Sequence, residues 1–288
     1  MHLHIVHDTL YRYGQAASLI MQALRMWPAP TPGQDVQDWR VEVDGRLLRP
    51  TCVDGFGNPV ATHTIDRSVD NVRISLRGHV DTRDLHGVHG MAEEVLPPMF
   101  YLRQTALTEC TGELAAFARE SAGTDGTALE RAHRLSGAVR DRIDYLPLTT
   151  TAETTATEAF EARRGVCQDH AHVLAAAARA TGMPARYVSG YLCPLGEEAA
   201  ASHAWAEIYI EDLGWVGFDA ANRQCPDERY VRVACGRDYR DAAPVRGVRQ
   251  GGIAETLEVD VSIGERAASQ SQSSRFGVRS QSQGQSQS

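Results

Sequence analysis

From Met1 to about Thr105, apolar and polar residues alternate with period two in HIVHDTLYRY, DWRVEVDG, ATHTIDRS and VRISLRGHV, and turn residues such as DGFGNP separate the segments. Successive side chains of a strand point to opposite faces, so the alternation predicts half-buried antiparallel strands. We expect a β-sandwich-like domain over residues 1–105. The period then becomes helical. Leu114, Ala115, Phe117 and Ala118 share a face between Thr108 and Gly123, and Thr127 with Glu130 forms a capping box ahead of Leu129, Ala132, Leu135, Val139 and Ile143. Pro147 ends that stripe. A third helix is expected at Glu158–Arg163, before Gly165, and a fourth from Cys167 to Thr181, stopped by Gly182 and Pro184.

Three strand-like stretches follow, at Ala185–Leu192, His203–Ile210 and Trp215–Asn222, and ETLEVDVSI near 255–263 reads as a last strand. Helices followed by antiparallel strands predict an α+β domain over 106–264. The remaining residues, 265–288, form a Ser/Gln-rich tail with too little apolar surface to order itself. Its glutamines could serve as acyl donors, but a solvated tail is the simpler reading.

Composition narrows the function. With 42% hydrophobic and 23% charged residues in 288, the chain has the make-up of a soluble two-domain protein. No apolar run spans a membrane, no secretory leader opens the sequence, and a net charge of -8 disfavours nucleic acid and anionic lipid. The expected location is the cytoplasm. The chain contains no lysine, which we read as coding bias rather than as protection from self-crosslinking. Six widely spaced cysteines without a CxxC pair predict free thiols. His63, His79, His86 and His89 match no metal-ligand spacing and read as scattered surface residues; no cofactor or metal is expected.

Cys167 carries the chemistry. At the start of a helix, unpaired N–H groups and the helix dipole favour a thiolate, and the backbone N–H of Cys167 can serve as an oxyanion donor. Arg163 and Arg164 just upstream add positive charge. A thiolate needs a base whose second nitrogen is held by an acceptor, and His203 and Asp219 lie on neighbouring expected strands. Period-two counting sets a condition: the two share a face only if the connection around Glu211–Gly214 is odd or contains a bulge. Cys167 also stands three residues before His170, as in half of a zinc site, but no second half follows.

The stretch RRGVCQDHAHVLAAAARATGMPARYVSGYL, followed by SHAWAEIYIEDLGWVGFDAANRQ, resembles the core of the bacterial transglutaminase-like proteins. The region from LHIVHDTLYRY to FGNPVATHTIDRSVDNVRI is similar to the β-rich domain that often precedes that core. Together the resemblance covers roughly residues 1–263. It implies a papain-like fold of helices on an antiparallel sheet, with the nucleophile at Cys167, the base at His203 and the acid at Asp219. One departure is Asp219-Ala220-Ala221-Asn222, where relatives often read D-P-T-N; the missing proline bears on the turn that presents Asp219. Asp169, His170 and His172 are assigned to structure or pocket lining.

These readings imply attack on a peptide or glutamine amide through a thioester, so the expected partner is a peptide or protein. Hydrolysis, as in a cysteine peptidase or amidase, is preferred because water is always present. The alternative is amine transfer, as in a protein-glutamine gamma-glutamyltransferase. Removal of glycans from asparagine ranks lower, since such relatives carry zinc-binding CxxC pairs. No loop with calcium-binding spacing is visible. A non-catalytic scaffold would usually have lost one of the three residues. The N-terminal domain is expected to form one wall of the substrate cleft.

Overall fold

The structure is a computed structural model and describes residues 1–90, 95–195, 201–251 and 254–265. The expected Ser/Gln-rich tail therefore lies almost wholly outside the described residues. The alternating N-terminal segments form strands β1 (His2–Leu24), β2 (Gln34–Val43), β3 (Arg46–Leu48), β4 (Cys52–Val53), β5 (Pro59–Ile65) and β6 (Val69–Thr82), and β7 (Val88–Gly90) follows. Along β6 the alternation is direct, with Val72, Ile74, Leu76 and Val80 facing the core between more exposed neighbours. Strand β1 is long enough to serve two sets of partners. Its first half pairs with β6, and its second half pairs with β5.

The helical region gives α1 (Gly112–Ala122), α2 (Ala128–Arg142), the short β8 (Asp144–Tyr145), α3 (Ala156–Ala162), β9 (Arg164–Gly165) and α4 (Cys167–Ala180). Thr127 and Glu130 form the expected capping box, and Thr155 with Glu158 forms a second at α3. Helix α4 is buried nearly all round, from Asp169 to Arg179. Such a helix belongs in a core rather than on a surface, and its alanines let α1, α2, α3 and the sheet approach closely. The remaining elements are β10 (Ala185–Leu192), β11 (Ala201–Ile210), β12 (Gly214–Phe218), β13 (Tyr230–Gly236), α5 (Tyr239–Ala242), β14 (Val245–Gly251) and β15 (Glu255–Glu265).

The second sheet runs β13-β10-β11-β12-β7, antiparallel throughout. This is the α+β arrangement expected from the pattern of periods. The last strand differs in its partner. We expected it to close the helical domain, whereas β15 pairs with β1 from Leu3↔Glu265 to Tyr13↔Glu255, and β14 pairs with the other half of β1. Both additions cover a strand edge that would otherwise present unpaired N–H and C=O groups. In the opposite direction β7, from the N-terminal region, joins the second sheet beside β12. Alternation specifies which face of a strand is buried but not which strand lies beside it.

One histidine also differs. His89 is not a surface residue: its side chain is 15% exposed and its Nε2 lies 3.5 Å from Glu207. Burial pushes its pKa down, so the neutral ring is favoured. Among the described residues no group of three or more potential ligands gathers to hold a metal.

Candidate active site

Cys167 occupies the first turn of α4, and the turn is held from below. The Asp169 carboxylate accepts the Val166 N–H at 2.7 Å and the Thr150 hydroxyl at 2.7 Å, closing the helix start around the cysteine. Gly165 makes room for this: a Cβ there would lie 2.6 Å from the Asp169 Cβ. Gly165→Ala is therefore expected to displace Asp169, cost about 1–3 kcal/mol of stability and slow Cys167 alkylation. Urea unfolding and iodoacetamide labelling check both effects; a variant equal to the parent in each would show that the cap does not position the thiol.

His203 and Asp219 meet the condition set by strand counting. The connection Glu211–Leu213 has three residues, and the register Ala206↔Phe218 places positions 203 and 219 on one face. His203 Nε2 lies 2.6 Å from Asp219 Oδ2, and the ring lines the same cavity as the Cys167 thiol. Nδ1 is the nitrogen left to serve the thiol. His203 and Asp219 are almost fully buried, with side chains 9% and 1% exposed. Burial lowers the His203 pKa, but the charge of Cys167 and the bond to Asp219 outweigh it and raise the value to about 10. Burial works against the Asp219 carboxylate too, yet its hydrogen bond to His203 leads the contacts that hold it below the usual carboxylate range.

Asp219 has further support that the sequence did not announce. Its Oδ2 accepts the Tyr230 hydroxyl at 2.7 Å and the Asn222 amide at 2.7 Å, and the Asn222 backbone N–H reaches Oδ1 at 3.3 Å. Gln224 donates to the Tyr230 oxygen at 2.6 Å. The turn that lacks the proline is closed instead by paired backbone bonds between Asp219 and Gln224, at 2.8 and 3.2 Å. Asn222 was legible as the end of the motif. Tyr230 was not, because it arrives on β13, whose neighbour in the sheet is β10.

Asp169, His170 and His172 are buried and absent from the cavity wall. His170 is held between the carbonyls of Val166 and Ile143, and His172 Nε2 accepts the Tyr239 N–H at 3.0 Å, so both act as braces. Arg163 and Arg164 are exposed and do not line the cavity.

A cavity of about 390 Å³ opens over the thiol, lined by Cys167, His203, Tyr145, Leu148, Thr150 and Tyr239 among others. His7, Arg25 and Met26 supply part of its wall from the N-terminal sheet. Burial, the largest influence on His7, drops its pKa to about 4, and the ring bridges the Tyr191 hydroxyl at 2.8 Å and Thr9 at 3.0 Å. The N-terminal sheet thus lines part of this cavity.

The family model described as the transglutaminase-like superfamily matches residues 115–220, and that of the bacterial transglutaminase-like N-terminal region matches residues 3–81. An uncharacterized protein of Mycobacterium leprae is 30% identical over 281 residues, 91% of this chain and 98% of that protein. A protein-glutamine gamma-glutamyltransferase of Pseudomonas aeruginosa is 30% identical over 138 residues, 41% of this chain but 21% of its own. Among solved structures, "a Putative Cysteine Protease from Cytophaga hutchinsonii" has a TM-score of 0.73 at 21% identity, covering 97% of this chain and 96% of that one, which establishes the shared fold. In fold, in both regions of sequence and in full-length similarity, the chain belongs to the bacterial transglutaminase-like family.

Proposed function

We propose that this protein is a cysteine-dependent acyl-transfer enzyme in which Cys167 is the nucleophile, His203 the acid and base, and Asp219 the residue that orients His203. What supports the reading above all is the 2.6 Å bond from a buried His203 to Asp219, with His203 and a helix-start cysteine lining one cavity. The Cys167 thiolate attacks the amide carbonyl carbon, and the developing oxyanion falls within reach of the Cys167 backbone N–H. The imidazolium gives its proton to the leaving amine, the C–N bond breaks and a thioester remains. Neutral His203 then takes a proton from the second nucleophile as that nucleophile bonds to the thioester carbonyl carbon, the C–S bond breaks and the Cys167 thiolate leaves beside the imidazolium.

Water as that nucleophile gives a peptidase or amidase, the reading we favour. An amine gives a transglutaminase, the reading favoured by likeness to the Pseudomonas aeruginosa enzyme. Intact-mass analysis of a glutamine-containing peptide, with wild-type protein and Cys167→Ala, with and without a small primary amine, separates the outcomes. Cleavage or a gain of about one dalton, dependent on Cys167, identifies a hydrolase; amine addition identifies a transferase. Labelling of Cys167 by iodoacetamide at pH 6 no faster than a free small thiol would overturn the thiol-enzyme reading.

The substrate proposed is a peptide or protein segment, since the cleft is walled by both sheets. The six cysteines are all unpaired, which favours the reducing cytoplasm as the working compartment, and cell fractionation tests that placement.

A further inference from the structure

The cavity has a one-sided charge. The protein carries a net charge of -8, yet no aspartate or glutamate lines the cavity among the described residues, and Arg25 is the one arginine that does. His7, on the same wall, is held neutral by burial. Besides the reacting Cys167–His203 pair, Arg25, ion-paired with Asp54 at 2.8 Å, is therefore the charged side chain at the cavity wall among the described residues.

Arg25 is also held in place. Its Nε donates to Asp54 Oδ2 at 2.8 Å, and its backbone N–H pairs with the Pro244 carbonyl at 2.8 Å. Asp54 belongs to the turn DGFGNP and accepts three further bonds, from the N–H groups of Phe56 and Asn58 and from the Asn58 side chain. Asn58 is in turn fastened to β13 by two bonds to the Cys235 backbone, at 2.7 and 2.8 Å. A carboxylate has about four acceptor positions, so Asp54 is saturated and acts as an anchor. The guanidinium retains unused donors: Nη1 is buried and has no partner among the described residues. An arginine side chain 15% exposed, braced at Nε and short of acceptors, is prepared for a planar anion.

We infer that the cavity binds an acyl donor carrying a carboxylate, and that Arg25 is the residue that recognises it. The inference rests on the acyl-transfer reading and adds the substrate class to it. A side-chain carboxylate near the scissile amide and a free chain-terminal carboxylate offer the same chemistry.

Alkylation of Cys167 tests this without a known substrate. Rates for iodoacetate and iodoacetamide, each divided by its rate with a free small thiol and assigned to Cys167 by peptide mass, give a preference ratio. Wild-type protein is expected to favour iodoacetate, and Arg25→Gln to lower the ratio by about tenfold, the lower end of what a charged cleft provides. An equal ratio in both proteins overturns the proposal. If Arg25→Gln unfolds, protection of the wild-type thiol against iodoacetamide decides the matter. N-acetylglutamate α-amide carries the side-chain carboxylate, N-acetylglutamine the terminal one and N-acetylglutaminamide neither. Protection by one or both acids identifies the source, while equal protection by all three overturns the proposal. Failure of the acyl-transfer reading has a separate signature, slow reaction of Cys167 with iodoacetamide itself.

Discussion

With asparagine in place of Asp219, kcat/KM is expected to fall by about 10³- to 10⁴-fold while the fold persists. The amide keeps the shape of the carboxylate but cannot stabilise the imidazolium formed when the thiol gives up its proton. It also faces Tyr230 and Asn222, both of which donate to the wild-type oxygen. The change has a pH signature beyond the loss of rate. His203 is lowered by burial and raised further by the Cys167 charge and by Asp219, to about 10. Its charged form therefore persists below about 10 and is lost as pH rises through that value, carrying the proton donor for the leaving amine with it. The alkaline limb of the kcat/KM profile should lie near that pH in the wild type and move to lower pH in Asp219→Asn. An unmoved limb would show that Asp219 does not control His203.

A second large effect is expected at Glu207, which does not line the cavity. This carboxylate, on β11 of the second sheet, is fully buried, and Arg232 Nε meets it at 2.8 Å and Arg186 Nε at 2.5 Å. Arg186 lies over the Trp215 ring at 4.0 Å. Burial opposes ionisation of Glu207, but the two arginines overcome it and hold the carboxyl well below its usual range. A depressed carboxylate contributes stability above its ordinary pKa and loses it only as pH falls through the lowered value, so the cluster should survive mild acid. Glu207→Gln leaves two buried guanidinium groups without their counter-charge and is expected to cost about 3–5 kcal/mol. That is a large part of the ~5–15 kcal/mol by which a typical domain is stable. The urea midpoint measures the loss. Replacing Arg186, Glu207 and Arg232 together by apolar residues of similar volume should recover much of it, and failure to recover would mean the charges do more than satisfy one another.

The two predictions differ in how far the sequence anticipates them. Cys167 was legible from its place at the start of a helix, and His203 and Asp219 from their places on neighbouring strands together with the resemblance of their motifs to the transglutaminase-like core. Even the relation between His203 and Asp219 reduced to a count of residues in one short connection, since antiparallel neighbours in sequence pair in register. The Glu207 cluster had no such signal. Glu207 reads as an ordinary polar position in HAWAEIYI, and its partners come from β10 and β13, with His89 contributed by β7.

Hydrophobic periodicity, helix caps and turn residues thus determined the α+β class and the four main helices, while the needs of thiol chemistry and the resemblance to the transglutaminase-like core pointed to the three residues of the proposed catalytic group. These signals act between residues a few positions apart, where the geometry of helix and strand leaves little choice. Only the tertiary structure decided that β14 and β15 return to cover β1, that β7 extends the second sheet, and that Tyr230 braces Asp219. It also decided that Arg25 enters the same cavity as Cys167. Those outcomes depend on which exposed strand edge or buried face is nearest once the chain has collapsed. Edges of similar alternation are interchangeable to a pattern of apolar positions, and packing of the whole chain selects among them.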